Sequence, residues 1–127
     1  MINLYINERR SGDVAILDLK GRLRIGGNAI ALHKSIRSLV VEKKIKIVLN
    51  LAGVEHVDSC GLGELVASQI SVENKGGKIK LIGLTEALRE LLTATRLSLV
   101  FDAFDDEAAA IESFADSKAG KSQLAFA

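Results

Sequence analysis

Apolar and polar residues fall in short blocks whose spacing switches between that of a strand and that of a helix. Leu4 and Ile6 alternate with Tyr5 and Asn7, which predicts a short half-buried strand. Ser11-Gly12-Asp13 brings turn chemistry. Residues 14–19 form a second apolar run, so the first two strands are expected to pair as an antiparallel hairpin. The spacing then changes. Ala29, Leu32, Ile36, Leu39 and Val40 recur at steps of three and four and predict a helix. Residues 45–51, rich in β-branched side chains, predict a central strand. Leu62, Leu65, Val66 and Ile70 mark a second helical stripe, ended by Lys75-Gly76-Gly77. A strand over residues 79–82 and a helix over residues 86–95, apolar at Leu88, Leu91 and Leu92, come next. Leu99-Val100-Phe101 is expected to be a short strand. Residues 105–114, apolar at Ala108, Ile111 and Phe114, are expected to form a last helix capped by Asp105 or Asp106.

Strands separated by helices imply parallel pairing through right-handed crossovers. The expected fold is therefore α/β: a mixed sheet of about five strands in the order β-β-α-β-α-β-α-β-α, opening on the hairpin. A length of 127 residues fits one domain, placed over residues 1–115. Residues 116–127 are read as a tail that is weakly held or continues the last helix.

Composition narrows the function. With 17 basic against 16 acidic residues, a nucleic acid or an acidic membrane surface is not the expected partner. The absence of Trp and the single Tyr leave no aromatic platform for stacking bases. One Cys rules out an internal disulfide and a multi-cysteine metal site. No run approaches the length of a membrane-spanning helix. Met1-Ile2-Asn3-Leu4 lacks the basic and apolar regions of a signal peptide, so the cytoplasm is the expected compartment.

Val57-Asp58-Ser59-Cys60-Gly61-Leu62-Gly63 carries the most information. It joins the central strand to the second helix, at the sheet edge where functional loops gather. Asp58 or Ser59 can cap the helix amides. Cys60, Gly61 and Gly63 are small and leave room for another backbone, with Leu62 an apolar residue among them. A hydroxyl at a helix start is also well placed to carry phosphate. From these residues alone, a plain helix cap and a modification site stand at even odds.

The longer run, residues 47–63 ending in D-S-C-G-L-G, resembles the signature of the STAS domain in the branch of bacterial anti-sigma-factor antagonists. The resemblance extends to Leu19-Lys20-Gly21-Arg22-Leu23, to Gly77-Lys78-Ile79-Lys80-Leu81 and to residues 101–109, covering about residues 3 to 115. It implies a STAS-like fold and a partner-switching module that is not an enzyme and needs no cofactor. Unphosphorylated, such a protein binds an anti-sigma factor that is also a serine kinase of the histidine-kinase-like ATPase fold. Phosphorylation ends the binding, and a serine phosphatase restores it. Carried over, Ser59 is the acceptor, and Asp58, Cys60, Gly61, Leu62 and Gly63 form the partner surface. Two positions depart from the family: Cys60 stands where many relatives have a second hydroxyl, and Arg24 where many have an acidic residue. Arg22 and Arg24 are expected near the turn, where they either neutralise phosphorylated Ser59, face an acidic partner, or are solvated with no role.

Two other readings remain open: a STAS scaffold or subunit in a stressosome-like or lipid-transport complex, and a small thiol enzyme using Cys60. His33 and His56 are isolated and do not make a metal site. Gly120-Lys121-Ser122 lacks the first glycine of a phosphate loop. Lys43, Lys44 and the lysines from Lys75 to Lys80 are read as solvated, and Phe101, Phe104 and Phe114 as core. An exposed edge strand would allow a monomer or a weak homodimer.

Overall fold

The computed structural model describes residues 4–23 and 27–124, the side chains of 27–28 and 116–124 excepted. The chain runs through strands β1 (Tyr5–Ser11) and β2 (Val14–Leu23), helix α1 (Gly27–Val41), strand β3 (Lys46–Val57), helix α2 (Ser59–Glu73) and strand β4 (Lys78–Ile82). Helix α3 (Glu86–Ala94), a single 3₁₀ turn (Leu97–Leu99), strand β5 (Asp102–Phe104) and helix α4 (Glu107–Leu124) complete it. The sheet order is β1-β2-β3-β4-β5. β1 and β2 are antiparallel and every later pair is parallel, as the alternation of strand and helix requires.

Side-chain parity divides the core. Ala15, Leu17 and Leu19 of β2, Ile47, Leu49 and Leu51 of β3, and Ile79 and Leu81 of β4 face the helices α1, α2 and α3. The alternate positions Val14, Ile16, Val48 and Ile82 face the other way, onto Ala110 and Phe114 of α4. Burying a Leu or Ile is worth about 1.5–3 kcal/mol, so the three-helix face dominates the stability.

Four expectations about the elements are corrected. β2 and β3 extend well past residues 19 and 51, because they go on pairing through two register irregularities to the Leu23–Val57 rung. Gly53 permits this, since a Cβ there would sit 2.8 Å from Leu19 O. Leu99-Val100-Phe101 is not the strand. Arg96 leaves α3 in the left-handed conformation, the 3₁₀ turn follows, and Leu99 is 84% exposed. The ladder to β4 begins at Asp102, opposite Lys80. On α2, Ile70 faces outward and Gln69 is buried instead. The two-ended Gln69 amide accepts from Ile79 N (3.0 Å) and donates to Val100 O (3.2 Å), satisfying main chain that an Ile could not. On α4, Ala110 rather than Ala108 is buried.

Lys80 is likewise not solvated. It is 6% exposed, donates to Asp102 Oδ2 at 3.2 Å, and its ammonium lies 5.6 and 5.1 Å from the ring centres of Phe104 and Phe114. One carboxylate and two ring faces replace its water shell. Phe101 and Phe114 are buried, as expected.

The first turn of α4 is tied to the sheet by a polar network. Arg9 donates through Nε and Nη2 to the two Asp18 oxygens (2.5 and 2.9 Å) and through Nη2 and Nη1 to Glu107 (2.7 and 3.2 Å). Asn50 donates to Asp18 Oδ1 at 2.9 Å. The Arg9 guanidinium, followed by Asn50, holds the Asp18 carboxyl at about 2, below its ordinary 3.8. A depressed carboxylate pKa stabilises the fold above the unfolded value and is lost as pH falls through the folded one. Discounted for the half-exposed setting, the pair is worth about 1 kcal/mol. Urea unfolding should therefore show parent and Asp18→Asn separated by that amount at neutral pH. The gap should close between about pH 4 and pH 2. A gap independent of pH would contradict the ion pair.

Candidate functional site

β3 ends at Val57 and α2 begins at Ser59, with Asp58 between them in extended backbone. Asp58 Oδ1 accepts from Gly61 N at 2.8 Å, and Leu62 N donates to Asp58 O at 2.9 Å. Asp58, rather than Ser59, is therefore the cap. Asp58 N in turn donates to Leu23 O at 3.2 Å, fastening the turn to the end of β2.

That arrangement leaves the Ser59 hydroxyl at the first position of the helix, exposed, with Cys60 exposed beside it. Gly63, one turn on, has nothing within 4 Å of where a Cβ would stand. Gly61 and Leu62 lie on the inward side: Leu62 is 8% exposed and belongs to the core, and Gly61 is buried against Leu23. The outward surface of the segment is thus Asp58, Ser59, Cys60 and Gly63.

Arg22 pairs in register with His56, one rung before the last pair of β2 and β3, and its Nε lies 3.9 Å from Glu55 Oε1. It stands at the same sheet edge as Ser59. Arg24 lies outside the described residues.

Two features were not read from the sequence. Leu23 is fully buried, and its carbonyl both accepts from Asp58 and closes the space beside Gly61. A Leu after G-R carries no sign of that role. Beside the turn, the end of β3 and the start of α3 enclose a shallow groove of about 240 Å3, with Glu55, His56, Val57, Thr85 and Leu91 in its lining. Thr85 caps α3 by accepting from Leu88 N at 3.2 Å. Its position before an amphipathic run was the available signal.

His33 Nδ1 lies 2.9 Å from Glu64 Oε2, bridging α1 and α2. Among the described residues no group of three or more His, Cys, Asp and Glu side chains is placed to hold a metal. No helix among them is long and apolar enough to cross a membrane.

A sheet opened by an antiparallel hairpin, flanked by three helices and one, with an exposed serine at the start of α2, defines a STAS fold. The STAS domain family model matches residues 5–110, and the chain belongs to that family. It is similar to a candidate anti-sigma factor antagonist of Thermotoga maritima at 28% identity, over 85% of this chain and 92% of that one, with a TM-score of 0.77. An anti-sigma factor antagonist of Mycobacterium paratuberculosis shares the fold at 21% identity, over 87% and 93% of the two chains, with a TM-score of 0.75. So does the phosphorylated form of SpoIIAA, a Bacillus cell fate determinant, at 15% identity, over 86% and 99%, with a TM-score of 0.67.

Proposed function

We propose that this chain is an anti-sigma-factor antagonist working as a phosphorylation-controlled docking module. Unphosphorylated, it binds an anti-sigma factor that is a serine kinase of the histidine-kinase-like ATPase fold, in the cytoplasm. Phosphate on Ser59 releases it and a serine phosphatase resets it. Residues 1–115 are the working unit and residues 116–127 a tail, in a monomer or weak homodimer. The observation that carries this reading is the exposed Ser59 hydroxyl at the head of α2, beside the capping Asp58 and a bare Gly63.

The physics is local. Phosphate adds about −1.5 to −2 charges at a helix start, where the first amides and the dipole tolerate an anion. The fold survives it. A partner packed on the turn meets bulk and negative charge instead, next to the carboxylate of Asp58. The groove between β3 and α3 extends the surface on which such a partner would seat.

Incubation with the host's candidate anti-sigma kinases and ATP, followed by intact mass and peptide mapping, tests the assignment. Addition of one phosphate at Ser59, absent in Ser59→Ala, is expected. Modification elsewhere, or stable assembly with no modification by any of them, would count against it.

Gly63 gives a separate check on the docking face. Gly63→Gln places a side chain in open space on a helix, so stability should hold or rise by about 0.5–1 kcal/mol. Kinase affinity should nevertheless fall at least about tenfold, read by calorimetry. Unchanged affinity would mean the partner does not approach this turn.

A further inference from the structure

Helices α1 and α2 lie side by side, and their C-terminal halves enclose a groove of about 330 Å3. At 1.5 Å per residue it begins roughly 14 Å along α2 from Ser59 and runs away from the turn, so it is independent of the switch proposed above. α1 lines it with Ile36, Arg37, Val40 and Val41; Ser68 of α2 and Lys75 just beyond that helix complete the part that matters here.

Three observations mark it as more than a packing seam. Ser68 is 1% exposed, and its hydroxyl has no hydrogen-bond partner among the described residues, a cost that an acceptor brought into the groove would relieve. Arg37 and Lys75 are exposed and stand in no ion pair among the described residues, whereas neighbouring Lys44 and Lys78 are paired with Glu42 and Glu73. Val41, apolar and 74% exposed, sits at the same groove.

The surroundings favour an anion. Lys43, Lys44, Lys46, Lys75 and Lys78 gather at the strand-start edge of the sheet, toward which the groove runs; Lys44, Lys46 and Lys78 are paired there with Glu42, Asp13 and Glu73, which leaves Lys43 and Lys75 as the excess positive charge. Most of the last carbonyls of the two helices are already engaged, which lessens the opposition of the helix C-termini to an anion. Ser38, Leu39 and Val40 O accept from Glu42, Lys44 and Lys43 N, and Ile70 and Val72 O accept from Asn74 and Lys75 N.

We propose that the α1–α2 groove binds a small organic anion, a carboxylate or phosphate monoester with a short apolar body. Arg37 and Lys75 take the charge, Ser68 Oγ donates to a polar oxygen, and Ile36, Val40 and Val41 cover the apolar part.

The test is an amide-shift titration of the full chain with hexanoate and with hexyl phosphate, against 1-hexanol and inorganic phosphate. Saturable shifts confined to residues 33–41 and 68–75 are expected with at least one of the two amphiphiles, and the stronger one identifies the charged group. Each control should bind at least about tenfold more weakly. Arg37→Gln combined with Lys75→Gln should weaken binding at least about tenfold, and Ser59→Ala should leave it unchanged. Ser68→Ala should bind several-fold more weakly with a Tm equal to or above the parent's. No saturation with either amphiphile, shifts centred on residues 58–63, or indifference to the Arg37 and Lys75 changes would overturn the proposal.

Discussion

Replacing Ser59 with Asp is expected to lower affinity for the anti-sigma kinase by at least about 100-fold, roughly 3 kcal/mol, while Tm and far-UV circular dichroism stay close to the parent's. The asymmetry follows from where the hydroxyl stands. It is exposed at the first position of α2, so a carboxylate there disturbs no packed neighbour. A negative charge in the first turn of a helix is tolerated or mildly favourable, by about 0.3–1 kcal/mol. Inside a docked interface the same charge loses its water and is pressed against whatever acidic groups the partner presents, which costs several-fold more. Ser59→Ala should keep the parent affinity and resist the kinase. Tight binding by Ser59→Asp, measured by calorimetry with the non-hydrolysable nucleotide present, would sink the switch.

The second large effect concerns stability. Gly61→Ala is expected to cost about 3 kcal/mol or more, since the added Cβ would collide with the carbonyl oxygen of Leu23 and stand 2.8 Å from its carbonyl carbon. Those atoms cannot step aside. Leu23 is fully buried, closes the last rung of the β2–β3 ladder, and accepts from Asp58 N. Against a total of about 5–15 kcal/mol, the loss is large enough to read from a urea midpoint. Gly63→Ala, two residues on, meets open space and should stabilise slightly. If Gly61→Ala unfolded within about 0.5 kcal/mol of the parent, the contact with Leu23 would be loose enough to take a methyl group, contrary to the expected clash.

Much of this was readable from residue order, for physical reasons. Strand and helix alternate in the sequence with their own periods, and parallel crossover topology leaves few ways to assemble them. The turn at residues 58–63 stood out because the longer run from residue 47 to 63 resembles the STAS signature; its acidic, hydroxyl and glycine residues alone fit an ordinary helix cap equally well. What escaped depends on neighbours far along the chain. Lys80 is buried because Asp102, Phe104 and Phe114 converge on it, and nothing local to Lys80 announces them. Residues 97–100 have the apolar character of a strand, but Gln69 already holds the Val100 carbonyl and the ladder starts two residues later. Leu62, expected on the partner surface, turns inward because its helix must present a packed side to the sheet. Arg22 is at the expected edge, beside Glu55.

Leu23 divides the turn into letters that are locked and letters that are free. Gly61 is held by its carbonyl and Asp58 by the cap bond to Gly61 N, so neither can vary without loosening the frame, whereas Cys60 is exposed and Gly63 faces open space. Positions 60 and 63 can therefore change one at a time with no rebuilding of the platform beneath them.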